Sequence, residues 1–340
     1  MRNSGLLISL LTVFVVLSSC SKKRDNVKLE KESEIYKLAK DVSTMVPYLD
    51  PDENNAIVET KDFDIATADV FKNMEANMGN RAYHMRQLDT TKVKETVKRI
   101  AKEMAEKKLL FKKASQSEIM VTDADVDSIM KMHYEQAGGE ANFVQQLKNN
   151  EVSIEHVKND IREGLLIQKY LNEKFLEDAA ISESEIEENY NRDKTATVRH
   201  ILLMTQGKNE EEKNEIYQKM QSVLEEARSG ADFAELAKKY SEDPGSKDNG
   251  GLYENFARGK MVEAFEDTAF SVPVGEISDI VETRYGYHII KVIDRQKETK
   301  SYDEVRESIG KQLEWNKRRD VYYGLLDDLR NEAKFEEVDF

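Results

Sequence analysis

Cysteine is almost missing from this chain. It occurs once, at Cys20, which excludes an intrachain disulfide and a zinc site built on cysteine. Proline (4) and glycine (15) are also sparse in 340 residues. With so few turn formers, and with Glu, Lys, Leu and Ala abundant, the chain is expected to be mostly helical. A basic excess is absent too, since 51 Lys and Arg stand against 66 Asp and Glu, a formal net charge of −15. Phosphate backbones need a basic face, so no nucleic-acid partner is expected. No glycine-rich loop ends in Gly-Lys-Ser/Thr, and neither a Gly-x-Ser-x-Gly elbow nor a His-Glu-x-x-His helix occurs. Nucleotide hydrolysis, α/β-hydrolase chemistry and zinc proteolysis therefore lose their usual carriers. What is present is 39% hydrophobic and 34% charged residues, too apolar for disorder and too charged for a multi-span membrane protein. At about 150 residues per domain, the length allows two or three domains.

The amino terminus reads as an address. Arg2 precedes an apolar run from Leu6 to Leu17. The run is shorter than the about 20 residues of a membrane span, and it suits the h-region of a signal peptide. It closes on Leu17-Ser18-Ser19-Cys20, which resembles the lipobox of bacterial lipoproteins. That resemblance implies a signal peptide over 1–19, lipidation of Cys20, and an exported chain tethered to a bacterial membrane and facing the periplasm. Several acyl chains on one residue anchor stably, where one would not. Residues 20–55 are expected to be a polar linker, a loose helix and a loop, interrupted by Pro47 and Pro51.

Periodicity then predicts helices over 56–194, after a short strand at Ala56-Ile57-Val58. A short helix is expected over Asp64 to Met78 and a long one over Thr91 to Lys113, where Val93, Val97, Ile100 and Met104 share a face. Thr122…Asp125, Ser182…Glu185 and Ser301…Glu304 each pair a capping hydroxyl with an acid three residues on. Lys334 to Phe340 alternates like a short edge strand, with Ala56 to Glu59 as its expected partner. Together, 296–340 are expected to form a helix and strand that pack on the helical domain.

Between these helical parts, 195–295 read as a compact α+β unit. Thr197 to Met204 is β-branched and apolar, a buried strand; Ile277 to Val281 and Tyr287 to Ile293 are the other strands expected. Asp243 to Gly251 is a loop by its turn residues. His200 and His288 each sit at or within a buried strand. Taken singly, each reads first as a core histidine satisfied by hydrogen bonds. No third ligand at metal-binding spacing accompanies them, and acidic runs such as Glu210-Glu211-Glu212 read as solvated faces.

The order of motifs is more specific. Val198-Arg-His-Ile-Leu-Leu203, Phe233-Ala-Glu-Leu-Ala237, Tyr240-Ser-Glu-Asp-Pro-Gly-Ser246, Asn249-Gly-Gly251, Arg258-Gly-Lys-Met-Val262 with Phe265, and Tyr285-Gly-Tyr-His-Ile-Ile-Lys291 follow one another. In this order, residues 197–293 resemble parvulin-type (PpiC) peptidyl-prolyl isomerases. The flanks are similar to the chaperone portion of SurA/PrsA-type exported foldases. The resemblance implies an α+β fold, in which a small antiparallel sheet with surrounding helices is inserted in a mostly helical SurA-N-like domain. It implies peptidyl-prolyl cis-trans isomerisation and chaperone action on unfolded or nascent exported polypeptides with X-Pro bonds, with no metal and no cofactor. His200, His288 and Asp243 would be the catalytic groups, Asp243 acting electrostatically. Met261 and Phe265, with Phe256 and Tyr253, would line the proline pocket. One stretch departs from the family's Gly-Gly-Asp-Leu-Gly-x-Phe: here Gly250-Gly251-Leu252-Tyr253-Glu254-Asn255-Phe256 stands, with Tyr253 in the slot of the leucine. A binding-only holdase using this domain as a docking module is the alternative.

Overall fold

A computed structural model describes residues 27–149 and 152–340. The expected signal peptide 1–19, the lipidation residue Cys20 and the start of the linker lie outside the described residues. The chain divides into two compact units, the described part of Met1–Ala180 with Asn316–Phe340, and Ile181–Trp315.

The first unit begins with α1 (Glu34–Met45). Ser33 caps it, its hydroxyl accepting the Tyr36 N–H at 3.2 Å, a contact worth about 1 kcal/mol. The helix expected to be loose is packed: Ile35, Leu38, Ala39 and Val42 form one buried face. Their i, i+3, i+4, i+7 spacing was masked by the dense charges between them. Strand β1 (Ala56–Glu59) is the middle of a three-stranded antiparallel sheet. On one side lies β2 (Asp64–Ala66), so the helix expected over 64–78 starts later, as α2 (Thr67–Met78). On the other lies β7 (Glu336–Glu337), with Glu337 opposite Val58 and the Val338 N–H donating to the Ile57 carbonyl at 3.0 Å. Helix α3 (Thr90–Ala114) lays Val93, Val97, Ile100 and Met104 into the same core, and its Leu109 and Leu110 meet Leu326, Leu329 and Ala333. Helices α4 (Asp123–Gln136), α5 (Glu140–Asn149) and α6 (Ile154–Asp178) bury Val126, Met130, Phe143, Leu147 and Val157 together.

The second unit opens with α7 (Glu183–Asn191), capped by the Ser182–Glu185 box. Its Ile186 packs on Val305 and Ile309, in residues 302–315 of the last helix, α11 (Tyr302–Ala333). Those apolar contacts carry the unit beyond the 195–295 span of the sequence reading on both sides.

Its centre is a four-stranded antiparallel sheet in the order β4–β3–β6–β5. The strands are β3 (Thr195–Met204), β4 (Leu252–Ala257), β5 (Val281–Thr283) and β6 (Gly286–Gln296). The expected strand at 277–281 is displaced to β5, and Ile277 makes only a lone bridge with Lys291. Strand β4 has no sequence signal of its own. It carries exposed Glu254 and Asn255, and exists as an edge paired to β3. Helices α8 (Glu210–Arg228) and α9 (Phe233–Tyr240) cover one face through Ile201, Leu203, Met220, Val223, Phe233 and Ile289. Helix α10 (Glu263–Ser271) covers the other, where Ala196, Val198, Ile290 and Val292 meet Phe256 and Phe265.

Candidate active site

Side chains alternate along a strand, and directly paired residues share a face. In the β3–β6 register His200 pairs with Ile290, and Leu202 with His288. His200 and His288 are therefore diagonal neighbours on the α10 face, in line with Val198 and Val292. Their rings stack with centroids 5.5 Å apart, and Nδ1 of one lies 3.3 Å from Nδ1 of the other. Both are buried, at 3% and 4% exposure. Phe265 presents its ring edgewise to each, at 5.3 Å and 5.5 Å. This apolar cover keeps the local dielectric low, which strengthens the hydrogen bonds beneath it.

Asp243 reaches the pair from the loop after α9. That loop takes over the edge of β3 where the pairing with β4 ends. The Glu242 N–H donates to the Leu202 carbonyl at 2.8 Å, the Leu202 N–H to Ser241 Oγ at 3.2 Å, and the His200 N–H to the Gly251 carbonyl at 2.8 Å. Gly251 has φ +75°, and a Cβ there would lie 2.1 Å from the His200 carbonyl oxygen. Only glycine fits an approach that close in the left-handed region. Arg199 pins the same turn, Nη1 donating to the carbonyls of Asn249 and Gly250 at 2.8 Å each.

The loop delivers a carboxylate to His200. Nε2–H of His200 donates to Asp243 Oδ2 at 2.9 Å, with Ser246 Oγ 2.8 Å from the same nitrogen. The hydroxyls of Ser246 and Tyr253 also donate to Oδ2, the latter at 3.0 Å, and the Gly245 N–H donates to Oδ1 at 3.2 Å. At the other end, Thr283 Oγ1 lies 2.8 Å from His288 Nε2. The hydrogen bond from His200, reinforced by Ser246 and Gly245, holds the Asp243 carboxyl well below the usual carboxylate range against the opposing effect of burial. Burial, then the neighbouring His200, pushes His288 down to about 3, so it is neutral at pH 7. Burial and the Asp243 carboxylate push the Tyr253 phenol up to about 12. A carboxylate can only accept, so His200 Nε2–H is the donor at the Asp243 end of the chain. His288 continues it, with its Nδ1 3.3 Å from His200 Nδ1 and its Nε2 2.8 Å from Thr283 Oγ1.

Beside this chain lies an open cavity of about 510 Å³, lined by Met261, Val262, Glu263, Ala264, Thr283 and Arg284. Of the residues expected to bind substrate, Met261 is half-buried and lines it. Phe265 (3% exposed) and Phe256 (8%) are core residues that line no part of it, and Tyr253 is half-buried with its hydroxyl on Asp243. The sequence reading missed Ser246 and Thr283. Ser246 sits in a turn where a serine is ordinary, and Thr283 in a strand of three residues, so neither carries a signal without the register. The set contains bound protons, a fixed carboxylate and an apolar wall, arranged to polarise and grip a neutral group.

Residues 184–296 match the family described as PPIC-type PPIASE domain. A foldase protein PrsA of Geobacillus kaustophilus is 34% identical over 267 residues, covering 78% of this chain and 80% of the relative. A foldase protein PrsA of another Geobacillus, strain WCH70, is 32% identical over 287 residues, 84% of this chain and 86% of its own. A crystal structure of a peptidylprolyl isomerase, PrsA, from Bacillus cereus is 30% identical and covers 84% of this chain and 95% of its own, with a TM-score of 0.40. The chain belongs to the PrsA foldase family and carries that family's parvulin-type peptidyl-prolyl isomerase domain.

Proposed function

We propose that this foldase isomerises X-Pro bonds of exported, incompletely folded polypeptides at the His200–His288–Asp243 site, with the protein held at a membrane surface through a lipid on Cys20. The reading of the site is carried by one observation: two buried histidines are joined Nδ1 to Nδ1 at 3.3 Å, and the chain they form ends on the carboxylate of Asp243. Isomerisation crosses a barrier of about 18–20 kcal/mol set by amide resonance. The protein has no bond to break. It must favour the twisted amide over the planar one. Met261 and the apolar part of the cavity wall take the proline ring, and the less polar twisted amide gains from that setting. Asp243, fixed by its donors, places a negative charge near the carbonyl carbon and disfavours the charge-separated planar form. His200, backed by His288, keeps that carboxylate oriented, which is the advantage of a preorganised site. The helices of the first unit serve as the chaperone portion that holds the client.

The test is exchange spectroscopy on an X-Pro peptide. Line broadening between cis and trans at an enzyme concentration well below that of peptide is the expected result. Binding without faster exchange would favour the holdase reading.

A further inference from the structure

We propose that Tyr253 is a positioning residue of the isomerase site, its hydroxyl fixing which oxygen of the Asp243 carboxylate is left to act on the substrate. The inference rests on the isomerase reading above and goes beyond it in giving a role to the one segment that departs from the parvulin pattern.

Three donors converge on one oxygen. His200 Nε2–H, the Ser246 hydroxyl and the Tyr253 hydroxyl all donate to Asp243 Oδ2. A carboxylate oxygen offers two lone-pair sites, so Oδ2 is saturated. Oδ1 has only the Gly245 N–H, at 3.2 Å, and keeps acceptor capacity. Tyr253 widens the difference between the two oxygens from β4, because a leucine in this slot could not donate a third hydrogen bond to Oδ2. Its ring is held too. It lies tilted against His200 with centroids 5.2 Å apart, and its backbone is paired to Val198.

The opposite wall is cut to fit the phenol. A Cβ on Gly245 would lie 2.9 Å from the Tyr253 hydroxyl and 3.6 Å from Asp243 Oδ1. Gly245 is therefore the space in which the hydroxyl sits, and the phenol, the glycine and the carboxylate form one packed unit. The titratable groups facing Asp243 are His200 from β3 and Tyr253 from β4, with His288 of β6 behind His200.

The experiment is the pH profile of kcat/KM on an X-Pro peptide, measured with the full chain. It compares wild type, Tyr253→Phe, and Tyr253→Phe in an Asp243→Asn background. Removing the hydroxyl keeps the ring. It is expected to lower kcat/KM about 10-fold near neutral pH, as loss of a charge-assisted hydrogen bond does. It should also move the acid limb to higher pH, because a carboxylate with fewer donors takes its proton more readily. In the Asp243→Asn background the same substitution should change neither quantity further. Gly245→Ala, which displaces the phenol without touching it chemically, should reproduce the shift of the acid limb, and it decides the matter if Tyr253→Phe fails to fold. An active wild type whose rate and acid limb survive both substitutions overturns this inference alone. An equal loss with and without the Asp243 carboxylate also overturns it. A wild type that isomerises no peptide overturns the isomerase reading beneath it.

Discussion

His200 and His288 lie diagonally across the β3–β6 pair, and the 3.3 Å between their Nδ1 atoms makes one hydrogen-bonded chain from Thr283 to Asp243. Both histidines are buried, so breaking a link at either ring leaves a nitrogen shielded from water.

Thr283→Val is the mildest such break. The side chain keeps its shape, but His288 Nε2 loses its hydrogen-bond partner. The expected cost is about 1–3 kcal/mol, the penalty of a buried group left unsatisfied. Hydrogen exchange of the β3 and β6 amides measures it, and unchanged protection would show that Thr283 contributes nothing to the network.

The neutral His288 makes this unit sensitive to acid. Its folded value is depressed to about 3 from an ordinary 6.5. Below about 6.5 the unfolded chain therefore binds a proton that the folded one refuses, and stability falls as pH falls. The contribution is whole above 6.5 and is lost progressively towards 3. Asp243 is also held low, so its contribution is lost only below the ordinary carboxylate range. Urea midpoints followed by near-ultraviolet circular dichroism should decline between pH 7 and pH 4.5, and His288→Phe should flatten that decline.

Much of this was legible in the sequence, and the exceptions share a cause. The strand read at 197–204, which the structure extends back to Thr195, the helices with an apolar face, and the capping residues at Thr122 and Ser182 are local signals, and the structure has each of them. The pairing of the chain's last residues with β1 followed from alternation around Phe335 and Val338. What could not be read depends on partners distant in sequence. Strand β4 exists because β3 offers an edge, and α1 is packed because α2 and the turns at 47–49 and 79–87 close over it. Among the site residues, His200, His288 and Asp243 stood out through the order of motifs. Ser246 and Thr283 are ordinary polar residues until the register puts them on Asp243 and His288. The buried positions of Phe256 and Phe265 were equally invisible, because an aromatic that lines a pocket and one that fills a core have the same spacing.

That difference separates two substitutions at residues expected to meet the proline ring. Phe265→Ala empties a buried site and should cost about 3–5 kcal/mol, so its activity loss will be mixed with unfolding. Met261 is half-buried on the cavity wall, and Met261→Ala should leave the fold intact while lowering kcat/KM on X-Pro peptides. A folded Met261→Ala protein with full activity would move the proline ring elsewhere.

The proposed lipid anchor has its own test. Cys20→Ser should leave the precursor unprocessed, seen as slower migration on a denaturing gel and loss of acyl label. Normal cleavage and release of Cys20→Ser would remove the lipoprotein reading.

The central claim is that the carboxylate at the end of the histidine chain catalyses rotation about the X-Pro bond. It is tested most directly by proline-limited refolding of a model protein, with wild type and Asp243→Ala each present at far below one equivalent. Asp243 accepts from His200, Ser246 and Tyr253, so the fold of Asp243→Ala is checked first by circular dichroism. The account predicts that wild type accelerates refolding catalytically. It also predicts that folded Asp243→Ala, still binding the unfolded client, has kcat/KM lowered by about 10-fold, equivalent to ~1.4 kcal/mol of transition-state stabilisation. Equal acceleration by the two proteins would contradict it.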